Sequence, residues 1–410
     1  MSMPSGQSFV IVGASLAGAK AAQALRDEGF EGTVVLIGAE HEHPYERPPL
    51  SKGLLLGKEE RDSVFVHEPA WYAEHDVDLR LGTKATSIDR AARQVRLEDG
   101  SVIGYDKLLL TTGAAPRRLP VPGADLGGVL YLRTLDDNAA LGAALRDGAK
   151  VVVAGAGWIG LEVTAAAVQA GCSVTVVEPD AAPLNRSLGP ELGAVFGGLH
   201  TSHGVTLRLG EGIAELRGEG GQVREAVTST GAVLPADVVV VGIGAAPNAS
   251  LAAEAGLEVD NGVLVDGALR SSDPDIFAAG DVANVLHPLL GRRIRVEHWA
   301  NALNGGPAAA RSMLGQQVSY DRVPYFFSDQ YDLGMECAGV PEPGSYDQVV
   351  YRGEPKSLEF VAFWLQGGSV VAGMNVNVWD AQDDIQSLIR SSAAVDTARL
   401  ADPAVPLSEM

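Results

Sequence analysis

Residues 151–178 read VVVAGAGWIGLEVTAAAVQAGCSVTVVE, and the fold turns on this stretch. The apolar run 151–154 predicts a buried parallel strand, and Gly155-Ala156-Gly157-Trp158-Ile159-Gly160 a tight loop. An Ala- and Val-rich helix follows, then a β-branched strand over 173–177 that ends in the acid Glu178. The glycines have separate jobs: Gly155 permits the tight turn, Gly157 lets backbone approach a diphosphate, and Gly160 lets helix and strand pack closely. The diphosphate lies over the helix N-terminus, where unpaired N–H groups and the helix dipole favour an anion. Glu178, 18 residues past Gly160, is placed to accept hydrogen bonds from both hydroxyls of an adenosine ribose. A 2′-phosphate there would be repelled, so the pattern favours NAD(H) over NADP(H).

A second pattern of this kind opens the chain. Residues 9–12 read as a strand, followed by Gly13-Ala14-Ser15-Leu16-Ala17-Gly18, a helical stretch over 19–26 and another strand over 33–37. Ser15 stands in the place of the middle glycine, which tightens the approach to phosphate without forbidding it. Glu40, after Gly38 and Ala39, is the ribose candidate here. Two nucleotide sites in one chain suggest FAD together with a nicotinamide dinucleotide.

The remaining motifs fall around these two units. Residues 41–52, HEHPYERPPLSK, form a stiff turn that cannot be helical before Pro48. Its Lys52 either holds a fixed positive charge near an electron-rich ring or belongs to an ordinary basic loop. A hairpin is expected around Glu98-Asp99-Gly100, and Pro116, Pro120 and Pro122 mark a linker. Residues 236–248, ADVVVVGIGAAPN, read as an apolar strand ending in a glycine turn, and 275–283, DIFAAGDVA, as a strand, a Gly turn and the acid Asp281. Asp281 suits a flavin ribityl hydroxyl, and it also suits a helix cap. Trp299 precedes an Ala-rich helix expected over 307–314, where it either lies against an isoalloxazine ring or packs in the core. From residue 323 the pattern turns antiparallel, with a hairpin at Gly367-Gly368 and a terminal helix over 384–390. The polar, Pro-containing last stretch reads as loosely held.

Bulk properties narrow the function. A chain of 410 residues calls for two or three domains. It has no apolar run near the roughly 18 residues of a membrane helix, and no basic segment precedes the apolar strand in MSMPSGQSFVIVGAS, as a signal peptide would require. Two distant cysteines, Cys172 and Cys337, without a CxxC, fit a reducing cytoplasm and give no support for a structural metal. His41 and His43 lack a completing ligand set. A net charge of −21 argues against nucleic acid as a partner. No cysteine occupies 16–26 or 41–52, where a disulfide or peroxide reductase of this architecture would hold its redox thiol.

Over nearly its whole length the chain resembles the FAD-dependent NADH:ferredoxin reductases of bacterial oxygenase systems. The carrying segments are 13–18 (GASLAG), 48–52 (PPLSK), 131–135 (YLRTL), 155–162 (GAGWIGLE), 242–248 (GIGAAPN), 279–281 (AGD) and 327–331 (FSDQY). The resemblance implies a glutathione-reductase-like α/β fold with two Rossmann-type domains and a C-terminal α+β domain. It implies a discontinuous FAD-binding domain over 1–116 and 245–322, an NAD-binding domain over 117–244 and a C-terminal domain over 323–410.

It further implies that Lys52 lies near flavin N5 and pairs with Glu162, that Arg133 and Asp281 contact FAD and that Trp299 lies beside the flavin. Ala17, Arg47, Ala85, Thr112, Gly113, Ile159, Gly244 and Gly280 complete the cofactor set. Electrons from NADH would pass through FAD to a [2Fe–2S] ferredoxin and on to a cytochrome P450 or Rieske oxygenase. Arg292, Arg293 and Arg295 are the candidate docking patch, or else a solvated turn. A redox-sensing flavoprotein like apoptosis-inducing factor, or an NADH-dependent reductase of a small-molecule acceptor, are the rival readings.

Overall fold

The computed structural model describes residues 6–410; the first five residues of the expected 1–116 segment, part of the N-terminal stretch read above, lie outside it. By compactness the described residues group into two units, one of residues 6–47, 61–115 and 245–322, the other of 48–60, 116–244 and 323–410.

The first unit is built on a parallel five-stranded sheet in the order Ile276–Ala278, Lys107–Leu110, Ser8–Val12, Thr33–Ile37, Val77–Arg80. Its inner strands are continuous β-branched and Leu runs because both faces are covered. The chain runs from Ser8–Val12 outward to Val77–Arg80, then returns to the other side of the first strand. This reversal leaves a crevice at the carboxyl ends of Ser8–Val12 and Lys107–Leu110, the ligand position of an open α/β sheet. The helix Leu16–Asp27 springs from that crevice.

Against it packs the helix Trp299–Met313, which begins eight residues before the expected 307. Pro307 lies inside it. Two adjacent glycines explain why the position tolerates the ring: a Cβ on Gly306 would strike the Ala17 carbonyl, so the helices meet backbone to backbone and packing outweighs the lost N–H bond.

The second unit repeats the plan. Its parallel sheet runs in the order Thr206–Leu209, Ser173–Glu178, Lys150–Ala154, Val238–Val241, Val129–Leu130, and the helix Trp158–Gln169 leaves the crevice between the third and fourth strands. An antiparallel sheet follows, in the order Tyr325–Gln330, Leu333–Gly339, Ser369–Val376, Glu359–Gln366, Gln348–Glu354. Trp364, Phe360 and Met374 of this sheet share one buried cluster with Phe196 and Leu192 of the helix Pro190–Ser202. The terminal helix runs Gln382–Ser391.

The end of the chain is held more firmly than its composition suggests. Arg352 donates to the carbonyls of Asp402 (2.7 Å), Pro403 (3.1 Å) and Val405 (2.6 Å), and Leu400 is fully buried.

Candidate active site

The two glycine loops have the same backbone construction. Gly13 N–H donates to the Ile37 carbonyl and Gly155 N–H to the Val177 carbonyl, each at 2.8 Å. Both glycines have positive φ, +121° and +102°, and a Cβ would strike the carbonyl of Thr111 in one unit and of Gly242 in the other. Neither nucleotide helix has a side-chain cap at Ser15 or Gly157, so the first-turn N–H groups of both face the crevice without an intramolecular side-chain acceptor. At Gly157 the nearest atom to an added Cβ is 3.9 Å away, so the space in front of the loop is open. This donor set fits a dinucleotide diphosphate at each crevice.

The ribose positions differ. Glu178 Oε2 accepts from Ala156 N–H at 2.7 Å and Oε1 from Asp180 N–H at 2.9 Å, which fixes the carboxylate at the loop with lone pairs to spare. By register the corresponding residue of the first unit is Gly38, since Val12 faces Ile37 as Ala154 faces Val177. A carboxylate cannot sit there: a Cβ on Gly38 would lie 2.6 Å from that of Ala14. Glu40, two residues on, is already bound, to Tyr45 Oη (2.5 Å) and Arg47 (2.9 Å). Arg47 also stacks over the Tyr45 ring at 5.0 Å. Burial opposes the Arg47 charge, but Tyr45, Glu40 and Asp281 outweigh it and hold its pKa above the ordinary value.

Asp281 thus shares a cluster with Arg47, and it also acts on His298, which burial nonetheless pushes down to about 4. Trp299 Nε1 donates to Glu46 at 3.1 Å. Thr112 and Asn248 clamp two passes of the chain, each side chain bonding the other's carbonyl at 2.8 Å, and Asn248 N–H meets the Gly113 carbonyl at 2.9 Å. Gly280 turns with φ +74° beside Ala17, and Ala85 starts the strand Ala85–Asp89.

Lys52 belongs to the second unit, as do Arg133 and Gly244. Lys52 Nζ lies 2.8 Å from Glu162 Oε1 and over the Phe327 ring at 5.4 Å. Glu162 is 4% exposed, and two hydroxyls share it: Ser51 Oγ donates to Oε2, and Ser328 Oγ to Oε1 at 2.7 Å. The pairing of Lys52 with Glu162 was legible; these two serines were not singled out, although both lie inside quoted motifs. Asp329 stands alongside, where burial raises its pKa, with Lys52 opposing the shift and Glu162 and Glu336 adding to it. Arg133 precedes the helix Leu135–Ala144, whose Asn138 donates to the Leu50 carbonyl at 2.8 Å and so ties that helix to the turn carrying Lys52.

The arginine patch is smaller than its sequence suggests. Arg295 is ion-paired with Glu297 and bonded to the Asp281 carbonyl, and Arg293 donates to the carbonyls of Val265 (3.2 Å) and Asn284 (3.1 Å), although it is exposed, as is Arg292. Both thiols are buried, and burial raises the pKa of each. Among the described residues no group of three His, Cys, Asp or Glu side chains could hold a metal, and no helix is long and apolar enough to cross a membrane.

The chain belongs to the pyridine nucleotide-disulphide oxidoreductase family, whose pattern it matches over residues 7–306, with a reductase C-terminal domain matched over 325–410. It is 43% identical to the anthranilate 1,2-dioxygenase system ferredoxin–NAD(+) reductase component of Burkholderia cepacia, covering 97% of this chain and 98% of that one. It is 41% identical to rhodocoxin reductase of Rhodococcus erythropolis, covering 90% and 86% of the two chains. Among solved structures it matches the covalent putidaredoxin reductase–putidaredoxin complex with a TM-score of 0.94 and 37% identity, over 98% of this chain and 97% of that one.

Proposed function

We propose that this chain is an NADH-dependent ferredoxin reductase, drawing electron pairs from NADH through FAD and delivering single electrons to a [2Fe–2S] ferredoxin of a cytochrome P450 or Rieske-type oxygenase. The observation that carries this reading is the duplicated nucleotide loop in a chain whose two thiols are both buried. When bound, FAD supplies the exchange between two-electron and one-electron chemistry.

The chain's own residues prepare for it. The loop Gly13 to Gly18 and the helix behind it receive one diphosphate, with Arg47 and Asp281 holding further polar groups of the same cofactor. The loop Gly155 to Gly160 receives the other, and Glu178 accepts the ribose hydroxyls of NADH. Lys52, anchored by Glu162, supplies a fixed positive charge that favours an electron-rich ring. Ala85, Thr112, Gly113, Arg133, Ile159, Gly244, Gly280 and Trp299 complete the proposed contacts. We adopt 1–116 with 245–322 as the FAD domain, 117–244 as the NAD domain and 323–410 as the C-terminal domain. The reduced thiols suit the cytoplasm.

Anaerobic titration of the yellow protein with NADH and NADPH, then with [2Fe–2S] ferredoxins and cytochrome c as final acceptor, tests the reading. Rapid bleaching by NADH followed by ferredoxin-dependent cytochrome c reduction is expected. A folded protein that takes up no flavin overturns it. Fast bleaching with turnover only on a small acceptor favours the small-molecule reductase, and slow, long-lived bleaching favours the sensor.

A further inference from the structure

Behind Glu162 the second unit carries a line of buried polar groups that no nucleotide site explains. Gln330 Nε2 donates to Ser328 Oγ at 3.2 Å, His200 Nε2 meets Gln330 Oε1 at 2.8 Å, and Tyr331 Oη meets His200 Nδ1 at 3.2 Å. His200 is fully buried, and Ser328 and Gln330 are 1% exposed. The line reaches the surface where the exposed His203 ring stacks on Tyr331, centroids 3.7 Å apart and 7° from parallel.

The hydrogen positions follow from chemistry. Gln330 Oε1 can only accept, so His200 Nε2 carries the proton. Burial lowers His200 to about 4, so the ring is neutral near pH 7 and its Nδ1 accepts from Tyr331. Every hydrogen bond therefore points the same way: Tyr331 to His200, His200 to Gln330, Gln330 to Ser328, and Ser328 to Glu162 Oε1. Such a one-way line polarises bond by bond and ends on an anion. Gln330 is an amide, which carries no proton onward, so the line orients and does not conduct. It also crosses elements that need no polar connection: His200 lies on the helix Pro190–Ser202, Gln330 on the strand Tyr325–Gln330. An apolar pair would pack there without desolvating four polar side chains.

We infer that Tyr331, His200, Gln330 and Ser328 are positioning residues that aim the Glu162 carboxylate at Lys52 and thereby fix where the Lys52 charge is held. The inference rests on the proposed role of Lys52 only for its effect on the flavin, not for its effect on Lys52 itself.

The test uses the FAD-loaded enzyme and the variants Gln330→Leu, Gln330→Met, His200→Leu and His200→Gln. One readout is the rate at which an amine reagent modifies Lys52, followed by peptide mass spectrometry with the exposed Lys84 as internal standard. The other is anaerobic flavin reduction by NADH. Gln330→Leu and His200→Leu should speed Lys52 modification by up to about tenfold, the factor equivalent to about 1.4 kcal/mol, the upper end of what one neutral hydrogen bond contributes. The same variants should slow flavin reduction. His200→Gln, which keeps a donor toward Gln330, should restore both. Gln330→Met, which keeps the volume and has no donor toward Ser328, should behave like Gln330→Leu and replaces it if the Leu variant fails to fold.

Unchanged Lys52 modification in folded, flavin-bearing Gln330→Leu or Gln330→Met overturns the inference, as does His200→Gln behaving like His200→Leu. Faster Lys52 modification with flavin reduction unaltered upholds the positioning line and overturns the role proposed for Lys52.

Discussion

Glu178→Ala separates the two jobs, one observed and one proposed, of a single carboxylate. The side chain props the glycine loop through Ala156 N–H at 2.7 Å, and on the proposed reading it also accepts from an adenosine ribose. Losing the prop weakens both nicotinamide cofactors alike. Losing the ribose contact removes a charge-assisted hydrogen bond to the 2′-hydroxyl, about 1.5–3 kcal/mol, from NADH alone. A 2′-phosphate in place of that hydroxyl would stand about 4 Å from the carboxylate, a repulsion of about 4 kcal/mol at an effective dielectric of about 20. Glu178 is half-buried, so solvent and salt reduce that to about 1–2 kcal/mol.

The sum predicts a swing in kcat/KM selectivity toward NADPH of about 100-fold or more. Steady-state ferricyanide reduction with each cofactor at fixed ionic strength measures it, and kcat with saturating NADH should hold, because the adenosine end is remote from the ring that reacts. If both KM values rise together and the ratio stays put, the carboxylate only props the loop and the assignment of the ribose fails.

Four further outcomes are expected. Reversing charge in Arg292→Glu/Arg293→Glu should slow ferredoxin reduction steeply at low salt and leave ferricyanide reduction intact; equal loss of both rates removes this turn as the docking surface. Gly306→Ala should push the helices Leu16–Asp27 and Trp299–Met313 apart, costing about 1–3 kcal/mol and lowering the flavin retained per protein, read from the visible-to-280 nm absorbance ratio. Arg352→Ala should release residues 402–410 to carboxypeptidase while flavin reduction by NADH stays unchanged.

The fourth concerns pH. His200 is held near 4 in the folded chain against about 6.5 unfolded, so its contribution is complete above pH 6.5 and is lost as pH falls toward 4. The loss amounts to about 3 kcal/mol in total, and His200→Gln should remove close to one proton from the pH dependence of the urea midpoint.

The parallel sheets were legible because both faces of their strands are covered, which writes them as unbroken apolar runs ending in glycine. The Lys52–Glu162 pair was reached only through likeness to a family, since 110 positions separate the two residues and no periodicity links them. Ser328 and Gln330 were hidden for a related reason. They alternate inward along Tyr325–Gln330 exactly as core residues would, so a polar inward face looks like any other inward face until its partners are known. The early start of the helix at Trp299 was missed because Pro307 normally marks a first turn. The hold on the C-terminus was missed because one arginine, 50 residues before Asp402, supplies it.

The two nucleotide loops share a backbone and differ in what covers them, and that difference suits two kinds of occupant. Ala17, in the first helical turn of the first unit, is 6% exposed because the helix Trp299–Met313 lies across it. Its counterpart by register, Ile159, is 45% exposed. The helical turn after the first loop is thus covered within its own unit, while the loop residues Gly13, Ala14 and Ser15 themselves are half-buried. The second stays open at the same position, and on the proposed reading the anchored Glu178 carboxylate is its recognition group. A covered helical turn suits a cofactor that remains through many turnovers, and an open one suits a cofactor that must leave after each. One duplicated motif can therefore serve as both holder and exchanger, with the helix Trp299–Met313 making the difference.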